Sequence, residues 1–408
     1  MLQFMDYVQN AFYQSSRWNN DNFYGTLTAT AGALLDFSTP NGLRLNVSSL
    51  SSSNFATSYA LGAKGVVDGS FSYLYSSLPL RIPSKSHEIF LRQLVPGYRR
   101  LAELARTEDS FFWELWHKGK RVDKKDTLLY GRLFLPSSTL QALYLRHISP
   151  TRLLRLSCVS DAGLPNGGSI LALLQQDSGK YSTEYLYSTD SALLGFRGLY
   201  NFGFDPRKIV AGSATDETTT RPVVAYPLLS GSDHHHGRLS AGGELYFSPL
   251  NKSGGVSTAI RFTTLPSHPG FPYTMTLTLN PLMGSVSSAY AVQATNDLAF
   301  CSRFNFNFYS YESEVQLGME MWRRKTHDAS IAWARRMLRP EWKHDPNGPA
   351  YLEDFESVLK ARVDQRWRIG LLWEGRINEL LVSAGAGLDL KKRDRLLGSI
   401  GVEISYSS

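Results

Sequence analysis

The 408-residue chain has no stretch approaching the roughly 18–20 consecutive apolar residues that a transmembrane helix requires. Its mean hydropathy is -0.23. A helical membrane protein is thereby excluded, but a transmembrane β-barrel is not, because only alternate residues of its strands face lipid. Cysteine is scarce. Cys158 and Cys301 each lie in a strand-like segment, and two thiols cannot form a disulfide framework. The N-terminus lacks an early basic region: Asp6 precedes the first arginine, Arg17, unlike a secretory signal or a presequence.

Chemistry-bearing motifs are equally sparse. Gly167-Gly168, Gly242-Gly243 and Gly254-Gly255 belong to no phosphate loop and read as turns or close strand packing. His234, His235 and His236 are adjacent, so a strand cannot aim all three at one ion, and a loop is the simpler reading. Asp190, Ser191 and His147 supply no ordered triad. No catalytic, cofactor-binding or metal-ligating residue is assigned, and no cofactor is expected. The net charge of +7 is scattered. The one basic run, Lys118, Lys120, Arg121, Lys124 and Lys125, is interleaved with Asp123 and Asp126. It suits either an anionic lipid surface or a solvated loop, and no nucleic-acid motif accompanies it.

What the chain does have is alternation. Residues 1–40 form a lead-in. Its first thirteen residues carry an apolar stripe at helical spacing, Met1, Phe4, Met5, Val8, Ala11 and Phe12, which predicts a helix inside a lumen or on a surface. Residues 41–408 read as a single barrel. Strand signals begin at Leu43, Leu45 and Val47, and continue over 55–63 and 66–76, ending in Tyr73-Leu74-Tyr75. They resume over 127–136, 139–148, 151–159, 169–176, 181–189, 192–203, 222–230 and 239–249. Tyr273–Asn280 is the clearest, with Tyr, Met, Leu and Leu on one face and Thr, Thr, Thr and Asn on the other, a lipid face and a wet face. Phe300, Phe304, Phe306 and Phe308 share a face opposite Arg303, Asn305 and Asn307.

Arg261, Arg303, Arg366 and Arg368 fall on the polar faces and are candidate lumen-facing residues. Two long insertions, 77–126 and 324–363, follow the third and sixteenth strands of this reading and are expected on opposite membrane faces. A soluble sandwich also alternates, but typically with seven to nine strands, and this chain has about twice that without a linker. The expected fold is all-β: a transmembrane β-barrel of about 19 strands, with a short N-terminal helix and helical loop insertions. Aromatic residues make up 12%, enough to supply interfacial girdles.

The terminal segment alternates strictly, with Ile400, Val402, Ile404 and Tyr406 on one face and Ser399, Gly401, Glu403 and Ser405 on the other. A polar residue, a Gly two positions on and then spaced large apolar residues (Ser399, Gly401, Val402, Ile404 and Tyr406) resemble the β-signal of mitochondrial outer-membrane barrels.

The resemblance extends along the chain. Met1–Val8 with Trp18-Asn19 and Asp21-Asn22, Leu35-Asp36-Phe37, Tyr73-Leu74-Tyr75, Asn280–Gly284, Cys301–Phe304 and Tyr309–Glu314 are similar to the fungal mitochondrial distribution and morphology protein ten family. That resemblance implies a 19-stranded barrel in the mitochondrial outer membrane, the strand number of the anion channel. It implies two roles without enzymatic activity. One is to anchor the ER–mitochondria encounter structure, a tether linked to lipid transfer. The other is to serve as a subunit of the sorting and assembly machinery, promoting late assembly of the import translocase. The expected partners are ER–mitochondria tether proteins, sorting and assembly machinery subunits, import translocase subunits and membrane lipids, with no nucleic acid. Tyr73 and Tyr75 are either partner anchors or girdle residues. The alternative function is an outer-membrane channel or import pore, with the four arginines as an ion filter.

Overall fold

The computed structural model describes residues 1–64, 66–101, 104, 115–118, 120–122, 126–164, 167–203, 237–266, 268, 270–324, 355–391 and 397–408. The His234–His236 run and the helix expected at 330–338 lie outside them. Nineteen strands form one closed sheet. They are β1 (Gly42–Ser52), β2 (Phe55–Lys64), β3 (Val66–Ser76), β4 (Thr127–Leu135), β5 (Leu140–Ser149), β6 (Arg152–Ser160) and β7 (Gly168–Asp177). Next come β8 (Tyr181–Ser188), β9 (Leu193–Phe202), β10 (Gly237–Ser248), β11 (Ser253–Thr264), β12 (Tyr273–Asn280) and β13 (Ser285–Thr295). The last are β14 (Leu298–Asn307), β15 (Ser313–Arg324), β16 (Phe355–Asp364), β17 (Arg368–Ile377), β18 (Leu380–Asp389) and β19 (Leu397–Ser407). Each strand pairs antiparallel with the next in sequence, whereas β1 and β19 pair in parallel, from Gly42↔Gly401 to Ser48↔Ser407. An odd number of meandering strands can close only through one parallel pair.

The alternation follows from the two solvents. Along β12, Met275, Leu277 and Leu279 are exposed outward, while Thr274 and Thr276 are buried inward. Along β14, Phe300 and Phe304 point outward and Cys301 and Arg303 inward. A lipid-facing wall tolerates the apolar row and a filled lumen accepts the polar one.

The two rims differ sharply. Odd-to-even connections include 77–126, 203–236 and 325–354, which follow β3, β9 and β15 and so leave from one rim, at six-strand intervals. The connections on the opposite rim are short, the longest spanning 161–167 and 390–396. The expectation for the second insertion does not hold. β16 occupies Phe355–Asp364, inside the stretch read as insertion, and pairs with β15 and β17. The insertion therefore follows β15, and both long insertions leave on the same rim. The strand-like 222–230 lies outside the described residues, and β9 pairs directly with β10, so the sheet closes without it. β16 escaped the alternation test for a physical reason. Its register slips at Arg323/Arg324, and Phe355, Ser357 and Val358 are all buried, which breaks the period of two.

Candidate functional site

The lead-in is inside the barrel. α1 (Phe4–Ser15) buries Met5, Tyr7, Val8, Ala11 and Phe12. They pack against Leu74, Leu128, Leu145 and Leu153 on the inner wall near the long-connection rim. From there the chain travels around the wall and descends. Asn22 is fully buried: its amide donates to Asp177 (2.7 Å) and the Gly179 carbonyl (2.9 Å), and its oxygen accepts from Asn201 (2.7 Å). Asn201 in turn accepts from Ser240 (2.7 Å). Tyr24 lies on Gly242 of β10, where an added Cβ would come within 2.9 Å of its ring.

A second helix, α2 (Ala29–Leu35), sits against β13–β16. Gly318 makes room for it, since a Cβ there would meet Leu35 at 2.7 Å and the Leu34 carbonyl at 3.0 Å. The free carbonyls at its C-terminal end are met by wall cations. Lys360 donates to Ala33 (3.4 Å) and Arg362 to Leu35 (2.9 Å), the sign a helix C-terminus favours. Arg303 then clamps Asp36 through two nitrogens at 2.7 and 2.6 Å, a bidentate geometry available to arginine.

The lead-in leaves the lumen at the seam. Gly385 and Gly401 are cross-strand partners on the inner faces of β18 and β19. A Cβ on Gly385 would lie 2.6 Å from the Pro40 ring, and one on Gly401 would lie 2.6 Å from the backbone of Pro40, Asn41 and Gly42. The two glycines form the trough in which the chain lies before it turns into β1. Gly42 makes that turn at φ 75°, a region open to glycine. Thr39 and Ser399 share a hydrogen bond (3.0 Å), and Asn46 donates to Glu403 (2.6 Å) and Ser405 (3.2 Å) across the seam. Of the β-signal residues, Ser399 and Gly401 thus carry lumen contacts, while Tyr406 is exposed on the outer wall, the face shared by Val402 and Ile404.

Residues 78–101 form a strap over the sector that the early lead-in leaves empty. Leu80 donates to Ser53 (2.7 Å), and Ser86 exchanges hydrogen bonds with Ser407 on the last strand. A short helix, α3 (Leu91–Leu94), packs beside Trp322, Phe355 and Val358, and Arg92 lies over Trp322 and Phe355. Tyr98 and Arg100 reach Thr274 (3.4 Å) and Gln293 (2.7 Å). Strap and lead-in meet where Leu2 donates to Leu94 (2.7 Å) and Arg99 pairs with Asp21 (2.7 Å). Between them remains a cavity of about 800 Å³, lined among others by Tyr7, Tyr13, Trp18, Arg81, Arg99 and Glu320. Burial raises the phenols of Tyr7, Tyr13, Tyr24 and Tyr98, and that of Tyr7 reaches about 12.

The four arginines fare differently. Arg261 (2% exposed) and Arg303 face the lumen and are committed to the lead-in, Arg261 at the Thr26 carbonyl (3.4 Å) and Arg303 at Asp36. Arg366 is in the turn between β16 and β17, off the wall. Arg368 is at the rim, paired with Asp364 (2.8 Å) and Glu314 (3.7 Å). Both correct the expectation of a lumen ring: alternation assigns a face but not a depth.

Tyr73 and Tyr75 project from the outer wall of β3 near the long-connection rim, 48% and 47% exposed. Phe55 stacks on Tyr73 (6.2 Å between centroids, 19° between planes), and Tyr59 meets Phe71 edge-on (5.7 Å). On the other side Tyr73 faces Gly131, whose missing side chain has nothing within 4 Å, followed by Ala142 on β5. An aromatic cluster therefore stands beside a recess. Gly318 and Gly385 were invisible to motif reading, and Asn22 entered it only within the Asp21-Asn22 block, with no role assigned. The only trace of the glycines is that inward positions of strands hold residues without side chains.

The family described as Mitochondrial distribution and morphology protein 10 matches residues 1–348 and 334–408. A relative of that name from Phaeosphaeria nodorum is 61% identical over 408 residues, covering 100% of both chains. One from Sclerotinia sclerotiorum is 55% identical, again with 100% of both covered. One from Aspergillus terreus is 45% identical over 95% of this chain and 90% of its own.

Proposed function

Since the chain belongs to the mitochondrial distribution and morphology protein 10 family, we propose that it is a docking barrel without enzymatic activity in the mitochondrial outer membrane. It anchors the ER–mitochondria tether linked to lipid transfer. It also joins the sorting and assembly machinery in late assembly of the import translocase. The observation that carries the docking reading is the occupied lumen. Lead-in and strap together line the wall from β2 round to β19, and Arg261, Arg303, Lys360 and Arg362 are spent on holding the lead-in. Outer wall and rims are then the surfaces left for partners. Three long connections on one rim and the exposed Phe55, Tyr59, Phe71, Tyr73 and Tyr75 cluster supply two such surfaces. Aromatic anchors beside a recess are what interface hot spots use.

The test is purification from mitochondria in mild detergent, with the eluate resolved on a native gel. Tether proteins and assembly-machinery proteins in separate stoichiometric bands are expected. A lone barrel that conducts ions in a planar bilayer would favour the channel reading instead. Replacing Tyr73 and Tyr75 together with Ala is expected to weaken association with at least one partner set while insertion persists; unchanged association would return them to the girdle.

A further inference from the structure

The parallel seam is a joint of the sheet that the lead-in and the strap support from inside. Parallel pairing is slightly less stable per residue than antiparallel pairing, and β1–β19 is the one parallel pair among the described strands. Its inner face carries the chain's own lead-in. Thr39 hydrogen-bonds Ser399, the Pro40–Gly42 backbone lies on Gly401, and Pro40 fills the place of a side chain on Gly385. Ser407, at the other end of β19, donates to the Ser84 carbonyl (2.6 Å) and accepts and donates with Ser86 of the strap. Both ends of the closing strand are thus held by segments that lie in the lumen.

We propose that Thr39–Gly42 is an internal clamp on the seam, so that lining the lumen and closing the barrel are one coupled step. The geometry makes the coupling mutual. β19 cannot leave β1 without uncovering Pro40–Gly42. The lead-in cannot leave its trough without moving Gly42, the first residue of the seam ladder. Gly401 consequently has a requirement independent of any partner that reads the terminal strand. Its contacts are backbone atoms, which cannot swing aside as a flexible side chain would. In the finished barrel the inner face of the terminal strand is covered by the same chain, so a partner that engaged that face during assembly would be displaced when the lead-in docks.

The test is hydrogen exchange of the full-length protein in detergent micelles, comparing wild type with Gly385→Ala, Thr39→Val and Gly131→Ala. Gly385→Ala crowds Pro40 from β18, a strand outside the β1–β19 pair, and Gly131→Ala is the control on the open outer face. In Gly385→Ala the amides of Gly42–Ser48 and Gly401–Ser407 are expected to exchange about tenfold faster or more, together with residues 36–41, while β11 and β12 are unchanged. Thr39→Val, which adds no bulk, should give a smaller acceleration of about two- to tenfold at the same amides. If residues 36–41 accelerate alone and the seam exchanges as in wild type, the lead-in is filler and the clamp is refuted. Should Gly385→Ala fail to fold, Thr39→Val decides by the same criterion.

Discussion

Asn22 is the residue whose loss should free the lead-in most selectively. It is fully buried and makes three hydrogen bonds at 2.7–2.9 Å, one of them to the Asp177 carboxylate. Its partners are partly backed up: Gly179 also donates to Asp177 (2.7 Å), and Asn201 also reaches the Gly179 carbonyl (3.2 Å). A neutral buried bond contributes about 1 kcal/mol and one to a charged group about 1.5–3 kcal/mol, so Asn22→Ala should cost about 2–4 kcal/mol after that backing. If residues 1–28 open as a unit, the α1 amides should exchange about 30- to 700-fold faster in micelles. Asn22→Asp should be worse, because it sets a second carboxylate against Asp177 without restoring a donor. A cycle with Asn201→Ala should show coupling of about 1 kcal/mol or more. Acceleration below about threefold for Asn22→Ala, or a milder effect from Asn22→Asp, would refute the reasoning that this network anchors the lead-in.

Three further outcomes follow from the same geometry. Phe12→Ala empties a fully buried position between α1 and the wall and should cost about 3–5 kcal/mol, seen as a lower urea midpoint for the first unfolding transition. Because burial raises the phenols of Tyr7, Tyr13, Tyr24 and Tyr98 above 10, the folded lumen keeps protons that the released segment gives up. Docking is therefore fully stable below the ordinary tyrosine value near 10 and weakens as pH rises from there to the raised value of Tyr7 at about 12, so subtilisin nicking of residues 1–41 should increase between about pH 10 and 12. Nicking that stays flat across that range would contradict it. Protease added to one side of sealed mitochondria should reach 105–114, 204–236 and 325–354 together or none of them, and a mixed pattern would break the strand order that puts all three on one rim.

The fold was legible because a barrel wall has two different solvents, and a period of two records them. Tyr273–Asn280 and the terminal strand showed both faces in the residues alone, as did the helical stripe of α1. Where a strand departs from that period the reading failed. Phe355–Asp364 begins beside a bulge and carries Lys360 and Arg362 toward α2, so it looked like part of an insertion. The strand-like 222–230 offset it in the count, which is why the total came out right while the two insertions were assigned to opposite rims. Face is a local property, written every two residues, whereas rim depends on the parity of every strand before it.

The chain by itself determined that it would form a many-stranded barrel with an amphipathic N-terminal helix, because alternation and helical periodicity are local consequences of which side of each element meets lipid or a packed interior. Only the tertiary structure decided where the lead-in goes. Its path is set by Gly242, Gly318, Gly385 and Gly401, four positions that contribute no side chain, on four different strands. Gly242 and Gly401 stood out along the chain, but an absent Cβ does not say which segment will fill its place. It becomes a groove only when the sheet has curved round and another segment lies in it, and the same closure turns Arg303 and Arg362 from lumen charges into the fasteners of α2.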